Sequence, residues 1–359
     1  MGSYKGKIND RKDLTEILDR FCDVPYIGNV LRRLPPETLY KFIETVGRNL
    51  SVDTSNPDIL KLTLSPDDSS PQLVYSIARP YPGIAVLSGN IKGFDILKSI
   101  LNDRVPRVSV IHYCRAGRCE IHTESGLYAF MQEGTICVES HKHDSKDLNF
   151  FGENYEGIEI SFDLDAFNME QTSFLKTFGI DRDDMLTLYE NNADYKIGVA
   201  GETLKATIEG LGDLMHEGTC DRITLLVSVL KTFDLVRTGH ILEGKEKLYL
   251  TKGQRKIVSE VYELYTSDLT SDIPVEEVAS KYNLSAVSLN KYFKIVYGDS
   301  VHKCILNFRL QKAAQMLSEG DMSVGDIALA VGYENPSKFG TAFKKKYDLT
   351  PLEYRRQMS

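Results

Sequence analysis

The sequence contains no tryptophan, and its six cysteines are scattered over 359 residues. Dense cysteine spacing marks the disulfide frameworks of small secreted domains, so this distribution favours a reducing compartment. No apolar run reaches the ~18–20 residues of a membrane-spanning helix, since the longest, 223–230, includes a threonine and a serine. The first residues carry no apolar core of a secretory signal. We therefore expect a cytoplasmic protein with no membrane partner.

The short motifs that identify common enzyme classes are also missing. The sequence has no phosphate-binding G-x-x-x-x-G-K-S/T loop and no dinucleotide-binding glycine motif after a strand. The G-x-S-x-G motif of serine hydrolases and the H-E-x-x-H motif of zinc proteases are absent as well. We therefore predict a protein that is not an enzyme, with no catalytic residue and no cofactor.

Formal charge is distributed unevenly along the chain. The whole sequence carries 43 basic and 51 acidic residues, a net charge of −8, which argues against a generally basic nucleic-acid-binding protein. Residues 249–359 hold 15 basic and 13 acidic residues, however, whereas residues 1–248 hold 28 and 38. An acidic part of net charge −10 therefore precedes a C-terminal part of net charge +2.

The hydrophobic pattern divides the acidic part into segments. Residues 1–50 show helical periodicity and a polar stretch follows at 51–57, so we predict a helical N-terminal extension over 1–57. Residues 58–242 combine seven short β-rich runs with later helices, which is typical of an antiparallel barrel or sandwich. Residues 243–250 predict a linker. The predicted strands are 72–78, 84–87, 108–114, 118–123, 126–131, 135–138 and 157–162.

A helix predicted over 222–241 carries an apolar stripe. Its residues recur at intervals of three and four, which places them on one face and favours a helix–helix seam. A second subunit or the same domain can supply the other side of that seam, and the sequence leaves both interpretations open. The stripe consists of Leu226, Val229, Phe233 and Val236.

The C-terminal part contains an internal repeat. Residues 275–279 are echoed by 324–328 at an offset of 49, and the offset becomes 50 further on. Each copy predicts a short helix, a turn and a second helix. Asn283 and Gly332 fall at the turns, where the corner of a helix-turn-helix requires residues that tolerate positive φ. The predicted N-caps of the second helices are Ser285 and Asn335.

The second helix of each copy combines an apolar face with a polar face that carries lysines. Such a helix fits the major groove of DNA, with its lysines near the phosphates. A long helix predicted over 301–317 separates the copies, so the two reading helices would contact groove segments about one turn, ~34 Å, apart. The predicted inward residues are Leu289, Tyr292, Phe293, Val296, Phe339, Ala342, Phe343 and Tyr347.

This repeat resembles the DNA-binding domain of the AraC/XylS family of bacterial transcription regulators. The resemblance covers residues 251–359, and its most specific stretches are 326–328, 331–333 and the closing 349–356. It implies two helix-turn-helix motifs, at about 274–297 and 323–347, after a domain for effector binding or dimerisation. It also implies double-stranded promoter DNA, a small-molecule effector, a second copy of the chain and RNA polymerase as partners.

The resemblance further implies which side chains contact DNA. The family often has arginine or another long polar residue at the position of Thr341, and serine at the position of Gly340. Gly340 lowers the helix propensity of the second copy, because a glycine costs a helix about 1 kcal/mol relative to alanine. We therefore expect the first copy to carry more of the base recognition. The predicted base contacts are Val287, Asn290, Lys291, Ser337, Lys338 and Thr341, and the predicted phosphate contacts are Lys294, Lys344 and Lys345.

Two residue clusters in the 58–242 segment raise other possibilities. Seven histidines and cysteines lie within 32 residues and include zinc and copper ligand types, but their spacing matches no standard template, so we predict packing and no metal site. Five tyrosines can line an aromatic pocket or pack in the sheet, and we favour packing. The clusters are His112, Cys114, Cys119, His122, Cys137, His141 and His143, and Tyr75, Tyr81, Tyr113, Tyr128 and Tyr155.

Together these features predict an α+β protein. N-terminal helices would precede a β-barrel-like, cupin-type sensor domain with a helical dimerisation segment, and an all-α C-terminal domain would carry two helix-turn-helix motifs. The predicted function is that of a sequence-specific DNA-binding transcription regulator, an effector-responsive activator whose effector the sequence does not name. One alternative is a ligand-binding β-barrel interaction module with weakened DNA binding, and another is a metal-dependent cupin-like enzyme.

Overall fold

The computed structural model describes residues 5–7, 50–53, 55–64, 73–92, 108–122, 126–140, 148–163, 167, 169–181, 184, 195–242, 248–320 and 322–358. The chain divides into two compact units, Met1–Tyr249 and Leu250–Ser359. The division falls within the predicted linker 243–250, of which residues 243–247 lie outside the described residues.

An antiparallel β-sheet forms the basis of the N-terminal unit. Its described strands are β1 Lys5–Lys7, β2 Leu50–Asp53, β3 Ile59–Leu64, β4 Leu73–Tyr81, β5 Ile84–Lys92, β6 Val108–His122, β7 Leu127–Gln132, β8 Thr135–Ser140, β9 Leu148–Asp163, β10 Tyr195–Ala200 and β11 Ile241–Leu242, while β12 Tyr249–Thr251 spans the division between the units. The strand order is β1-β2-β3-β4-β5-β9-β6-β8-β10-β11, with β7 beside β6. Within the described residues this order does not close on itself.

Two long strands, β6 and β9, form the centre of the sheet. They pair with each other along one edge of β6. Along its other edge, β6 pairs first with β8 and then with β7. Its register with β9 shifts between Cys114 and Arg118, a bulge that Gly117 accommodates with a φ of +82°. The strands predicted at 108–114 and 118–123 are therefore one strand that bends at this bulge.

Part of the predicted helical extension 1–57 belongs to this sheet. β1 pairs with β2, and β2 pairs with β3 from Leu50 opposite Leu64 to Asp53 opposite Lys61. The helical prediction is wrong at these residues, because pairing with a strand further along the chain overrides local periodicity. Residues 8–49 of the predicted extension lie outside the described residues.

Helices cover one face of the sheet. Side chains from β6 and β9 pack against them in one buried cluster, in which the rings of Phe162 and Phe233 lie 5.2 Å apart. The predicted stripe is part of this cluster, since Val229, Phe233 and Val236 are buried and Leu226 packs beside them. The stripe therefore forms its seam inside the unit. The helices are α1 Met169–Lys176, α2 Glu202–Glu217 and α3 Arg222–Arg237.

The other face of the sheet holds three cysteines of the histidine and cysteine cluster. The thiols of Cys114, Cys119 and Cys137 are buried among apolar side chains and Tyr155. Burial raises the pKa of Cys114 to about 12, so this thiol stays protonated at neutral pH. His112 Nε2 lies 2.7 Å from the Tyr155 hydroxyl. Within the described ranges no group of histidine, cysteine and acidic side chains is arranged to hold a metal ion, and 141–147 lie outside them.

The five tyrosines considered as a pocket lining do not converge on one place. Tyr113 belongs to the cluster beneath the helices, where its hydroxyl donates to Glu209 Oε1 at 2.7 Å. Tyr75 and Tyr155 belong to the opposite face, and Tyr128 stacks on His122. Tyr81 stacks on Phe174 of α1. Tyr75 and Tyr155 thus share one cluster, and the other three rings pack in separate places, as the packing interpretation predicts.

The C-terminal unit is helical. Its helices are α4 Lys252–Ser267, α5 Val275–Lys281, α6 Ala286–Tyr297, α7 Val301–Glu319, α8 Val324–Ala330, α9 Pro336–Tyr347 and α10 Pro351–Met358. An antiparallel sheet unit followed by a helical unit confirms the predicted α+β class at this level. No helix among the described residues is both long and apolar enough to cross a membrane.

The turn between α2 and α3 supplies a test of the N-terminal unit. Asn56 Nδ2 donates to the carbonyl oxygens of Gly218 and Cys220 at 2.7 and 3.0 Å. We expect Asn56→Ala to lower the free energy of unfolding by about 1–3 kcal/mol, because two carbonyls of the turn lose their donor. Thr219→Ala, at an exposed position of the same turn, is the control and should change stability by under about 0.5 kcal/mol. Urea denaturation of the full chain measures both, and equal midpoints would contradict the assignment.

Candidate nucleic-acid interface

The first helix-turn-helix consists of α5 and α6. Between them Asn283 adopts a φ of 55°, the left-handed conformation that the sequence predicts for the turn. Ser285 is the N-cap of α6, and its side-chain oxygen accepts a hydrogen bond from the Ser288 amide at 3.1 Å. Both the turn residue and the cap therefore agree with the sequence-based expectation.

The second helix-turn-helix consists of α8 and α9 and has the same design. Gly332 forms the turn with a φ of 82°. Asn335 Oδ1 accepts hydrogen bonds from the amides of Ser337 and Lys338 at 2.8 and 3.4 Å, and Pro336 occupies the first helical position. Proline at that position forfeits no helical hydrogen bond. The two reading helices, α6 and α9, therefore start from equivalent, capped corners.

Each reading helix buries the face that its sequence makes apolar. The largest of these side chains, the rings of Phe293, Phe339 and Phe343, are fully buried. Tyr292 is half-buried, and its hydroxyl accepts a hydrogen bond from Gln254 Nε2 of α4 at 2.9 Å. Of the residues predicted to point inward, Leu289, Phe293, Val296, Phe339 and Phe343 are buried and Tyr292, Ala342 and Tyr347 are half-buried, and Ile295 of α6 is buried as well.

The opposite face of each reading helix points to solvent. Eight of the nine side chains predicted to contact DNA are exposed, and Val287 is 80% exposed. The structure thus brings these predicted residues of each copy onto one accessible surface. The exposed residues are Val287, Lys291, Lys294, Ser337, Lys338, Thr341, Lys344 and Lys345.

Asn290 is the exception among the predicted contacts. Its side chain is half-buried, and its Oδ1 accepts a hydrogen bond from the Val301 amide at 3.0 Å. Val301 begins α7, whose N-cap residue Ser300 makes no side-chain capping bond, so Asn290 satisfies one of the first amides of that helix. The bond leaves only the amide nitrogen of this side chain available as a donor toward DNA.

The three lysines at the end of α9 are not equivalent. Lys344 and Lys345 are exposed, whereas Lys346 is half-buried. Lys346 Nζ donates to the Asn307 carbonyl oxygen at 3.1 Å and lies 5.4 Å from the ring centre of Tyr347. Only two of these three charges therefore extend into solvent from the reading helix.

A contact that sequence reasoning missed joins the two motifs. A Cβ at Gly332 would collide with the carbonyl oxygen of Leu269, in the loop that leads into the first motif. Arg309 of α7 donates from Nη2 to the Ser271 carbonyl at 3.0 Å and from Nη1 to the Gly332 carbonyl at 3.5 Å. The Leu269 side chain packs against the apolar core of the second motif. The loop before the first motif is thus held at the turn of the second.

Two glycine-to-alanine substitutions should have opposite effects in this unit. Gly332→Ala forces an L-residue into the left-handed region, at about 1–2 kcal/mol, and drives a methyl group into the Leu269 carbonyl. Gly340→Ala has open space around the new Cβ and should stabilise α9 by about 0.5–1 kcal/mol. Urea denaturation followed by far-UV circular dichroism measures both changes. The same sign for both would contradict this account of the turn.

A family pattern matches this region, and known transcription regulators are similar to part of the chain. The sequence pattern of a family described as "Helix-turn-helix domain" matches residues 278–357. The HTH-type transcriptional regulator MtrA of Neisseria gonorrhoeae is 35% identical over 83 residues, 23% of this chain and 28% of that protein. Probable transcription factor PqrA of Proteus vulgaris is also 35% identical over 83 residues, 23% of this chain and 68% of that protein.

A solved structure, the C-terminal domain of AraT, a response regulator from Geobacillus stearothermophilus, shares 31% identity and covers 30% of this chain and 87% of that chain, with a TM-score of 0.27. The present chain spans less than a third of MtrA and about two thirds of PqrA. The matched pattern covers both capped helix-turn-helix motifs apart from the first three residues of α5. Through this C-terminal unit the chain belongs to the AraC/XylS family of helix-turn-helix transcription regulators.

Proposed function

We propose that the protein is a sequence-specific DNA-binding transcription regulator that recognises promoter DNA through α6 and α9. The repetition carries this proposal, because both reading helices bury an apolar face and expose a polar face with lysines. Such a helix directs its outward side chains at base edges and its lysines at phosphates. With α7 between the motifs, the two helices would read segments about one turn, ~34 Å, apart on one face of the DNA.

The modest charge of the C-terminal part limits how the protein can bind. A net charge of +2 over residues 249–359 gives a weak long-range field, so non-specific affinity for DNA should be low. Affinity then depends on where the lysines lie. Lys294, Lys344 and Lys345 all extend from the exposed faces of the reading helices, where they would lie near phosphates.

For the N-terminal unit we propose a sensor and dimerisation role over residues 58–242. The two buried faces of its bent sheet, one beneath helices and one around Tyr155, support a β-barrel-like, cupin-type domain. An effector molecule or a second copy of the chain would bias the DNA-binding unit 251–359 through the linker 243–250. We further propose activation by contact with RNA polymerase, in the cytoplasm, where bacterial promoters lie.

A second candidate function follows from the second reading helix. The Thr341 hydroxyl donates to the Ser337 carbonyl within α9 at 3.0 Å, and Gly340 beside it offers no side chain. A weakened second motif would fit an interaction module that binds a ligand through its sheet unit and contacts DNA poorly. Absence of any sequence preference in DNA binding by the full chain would favour this candidate.

The dependence of DNA binding on salt tests the lysine placement. Each phosphate neutralised contributes about 0.9 to the slope of log K against log salt concentration. We expect the Lys344→Ala/Lys345→Ala double variant to lower that slope by about 2 and to weaken binding to all sequences alike. Lys256→Ala is the control, because Lys256 lies on α4 and pairs with Glu260 at 3.5 Å. Fluorescence anisotropy with promoter fragments measures the slopes, and an unchanged slope in the double variant would contradict the placement.

Base-pair substitution tests the unequal roles of the two motifs. A mismatched pair typically costs about 1–3 kcal/mol of binding free energy, and we expect such losses in the half-site of α6. Smaller losses are expected in the half-site of α9, because Ser337 and Thr341 have short side chains and the Thr341 hydroxyl already donates to the Ser337 carbonyl. Titration of single-pair variants of a mapped binding site measures both sets. Equal discrimination in the two half-sites would refute the asymmetry.

A further inference from the structure

The first reading helix presents an apolar side chain where a groove-binding helix makes its base contacts. Val287, the second residue of α6, is 80% exposed, which is the largest exposed fraction among the large apolar side chains of the described residues. It belongs to no described apolar cluster of its unit and contributes nothing to the core. Within the function proposed above, N-terminal residues of a reading helix contact base edges.

The polar groups around Val287 are already hydrogen-bonded. The hydroxyls of Ser285 and Ser288 lie 3.0 Å apart, and Ser285 also accepts from the Ser288 amide. The amide oxygen of Asn290 is bonded to Val301. The outward groups left on the first two turns of α6 are therefore the isopropyl group of Val287, the ammonium group of Lys291 and the amide nitrogen of Asn290.

Only one base offers a matching surface in the major groove. Thymine carries a 5-methyl group there, whereas guanine, adenine and cytosine have no methyl group and are distinguished by the hydrogen-bonding atoms at their groove edges. An isopropyl group against an amino or carbonyl group would remove that group from water without replacing its hydrogen bond. Contact with the thymine methyl instead buries two apolar surfaces against each other.

We infer that Val287 is a specificity-determining residue that selects a thymine in the α6 half-site by contact with its 5-methyl group. This inference rests on the proposed DNA-binding function. It adds the identity of one base and the group by which that base is recognised. Lys291, one turn further along α6, then lies beside the neighbouring acceptor atoms of guanine or thymine, which match an ammonium donor.

Uracil replacement tests the contact, because uracil pairs as thymine does but lacks the methyl group. Duplexes enriched by the full chain from a random-sequence library would be remade with uracil at each thymine in turn. We expect one replacement to weaken binding of the wild-type chain about fourfold, the effect of burying roughly one methyl-sized group. Val287→Ala should bind the thymine and uracil duplexes equally well.

Val227→Ala is the matched control, because Val227 is an exposed valine of α3 in the other unit, 55% exposed. This variant should keep the wild-type preference for thymine. Val287→Ala should fold normally, because alanine favours helix over valine and the valine leaves no cavity behind. The inference is overturned if no replacement weakens binding, or if Val287→Ala retains the same thymine preference as wild type. Failure to enrich any sequence would refute the proposed function itself, whereas enrichment without thymine sensitivity would refute only the role of Val287.

Discussion

The C-terminal unit depends on one close approach between backbones. Gly332 lets the turn of the second motif meet the Leu269 carbonyl, and Arg309 ties that turn to Ser271. Without this contact α7 alone would connect the motifs, and rotation about its ends would change the distance between α6 and α9. With it, the loop before the first motif and the turn of the second are fixed to the same helix. The spacing and the angle of the reading helices are therefore set within the unit.

Much of this unit could be predicted from sequence because its signals are local. The residue types of Asn283 and Gly332 are enough to predict a left-handed turn. A helix cap involves only Ser285 or Asn335 and an amide two or three residues later in the chain. Apolar periodicity likewise identifies the buried face of each reading helix from one short stretch of sequence. Such features need no knowledge of what lies elsewhere in the fold.

The features that sequence reasoning missed involve partners distant along the chain. Asn290 is predicted to face DNA, yet its oxygen caps a helix that begins 11 residues later. Arg309 bridges carbonyls 38 and 23 residues away, and its sequence neighbourhood carries no sign of them. In the N-terminal unit, β2 follows the same rule, because pairing with β3 decides its conformation. Tertiary contacts of this kind override local preference.

The bond from Asn290 to Val301 affects how DNA recognition by this protein can diverge. A change at Val287 would alter the side chain that α6 is proposed to present to the groove, and this side chain is 80% exposed and outside the buried core. A change at Asn290 also uncaps α7, at about 0.5–2 kcal/mol for loss of a capping side chain. Among descendants of this gene, new target sequences would therefore arise more readily through Val287 than through Asn290. Two residues on one helical face thus differ in their freedom to evolve.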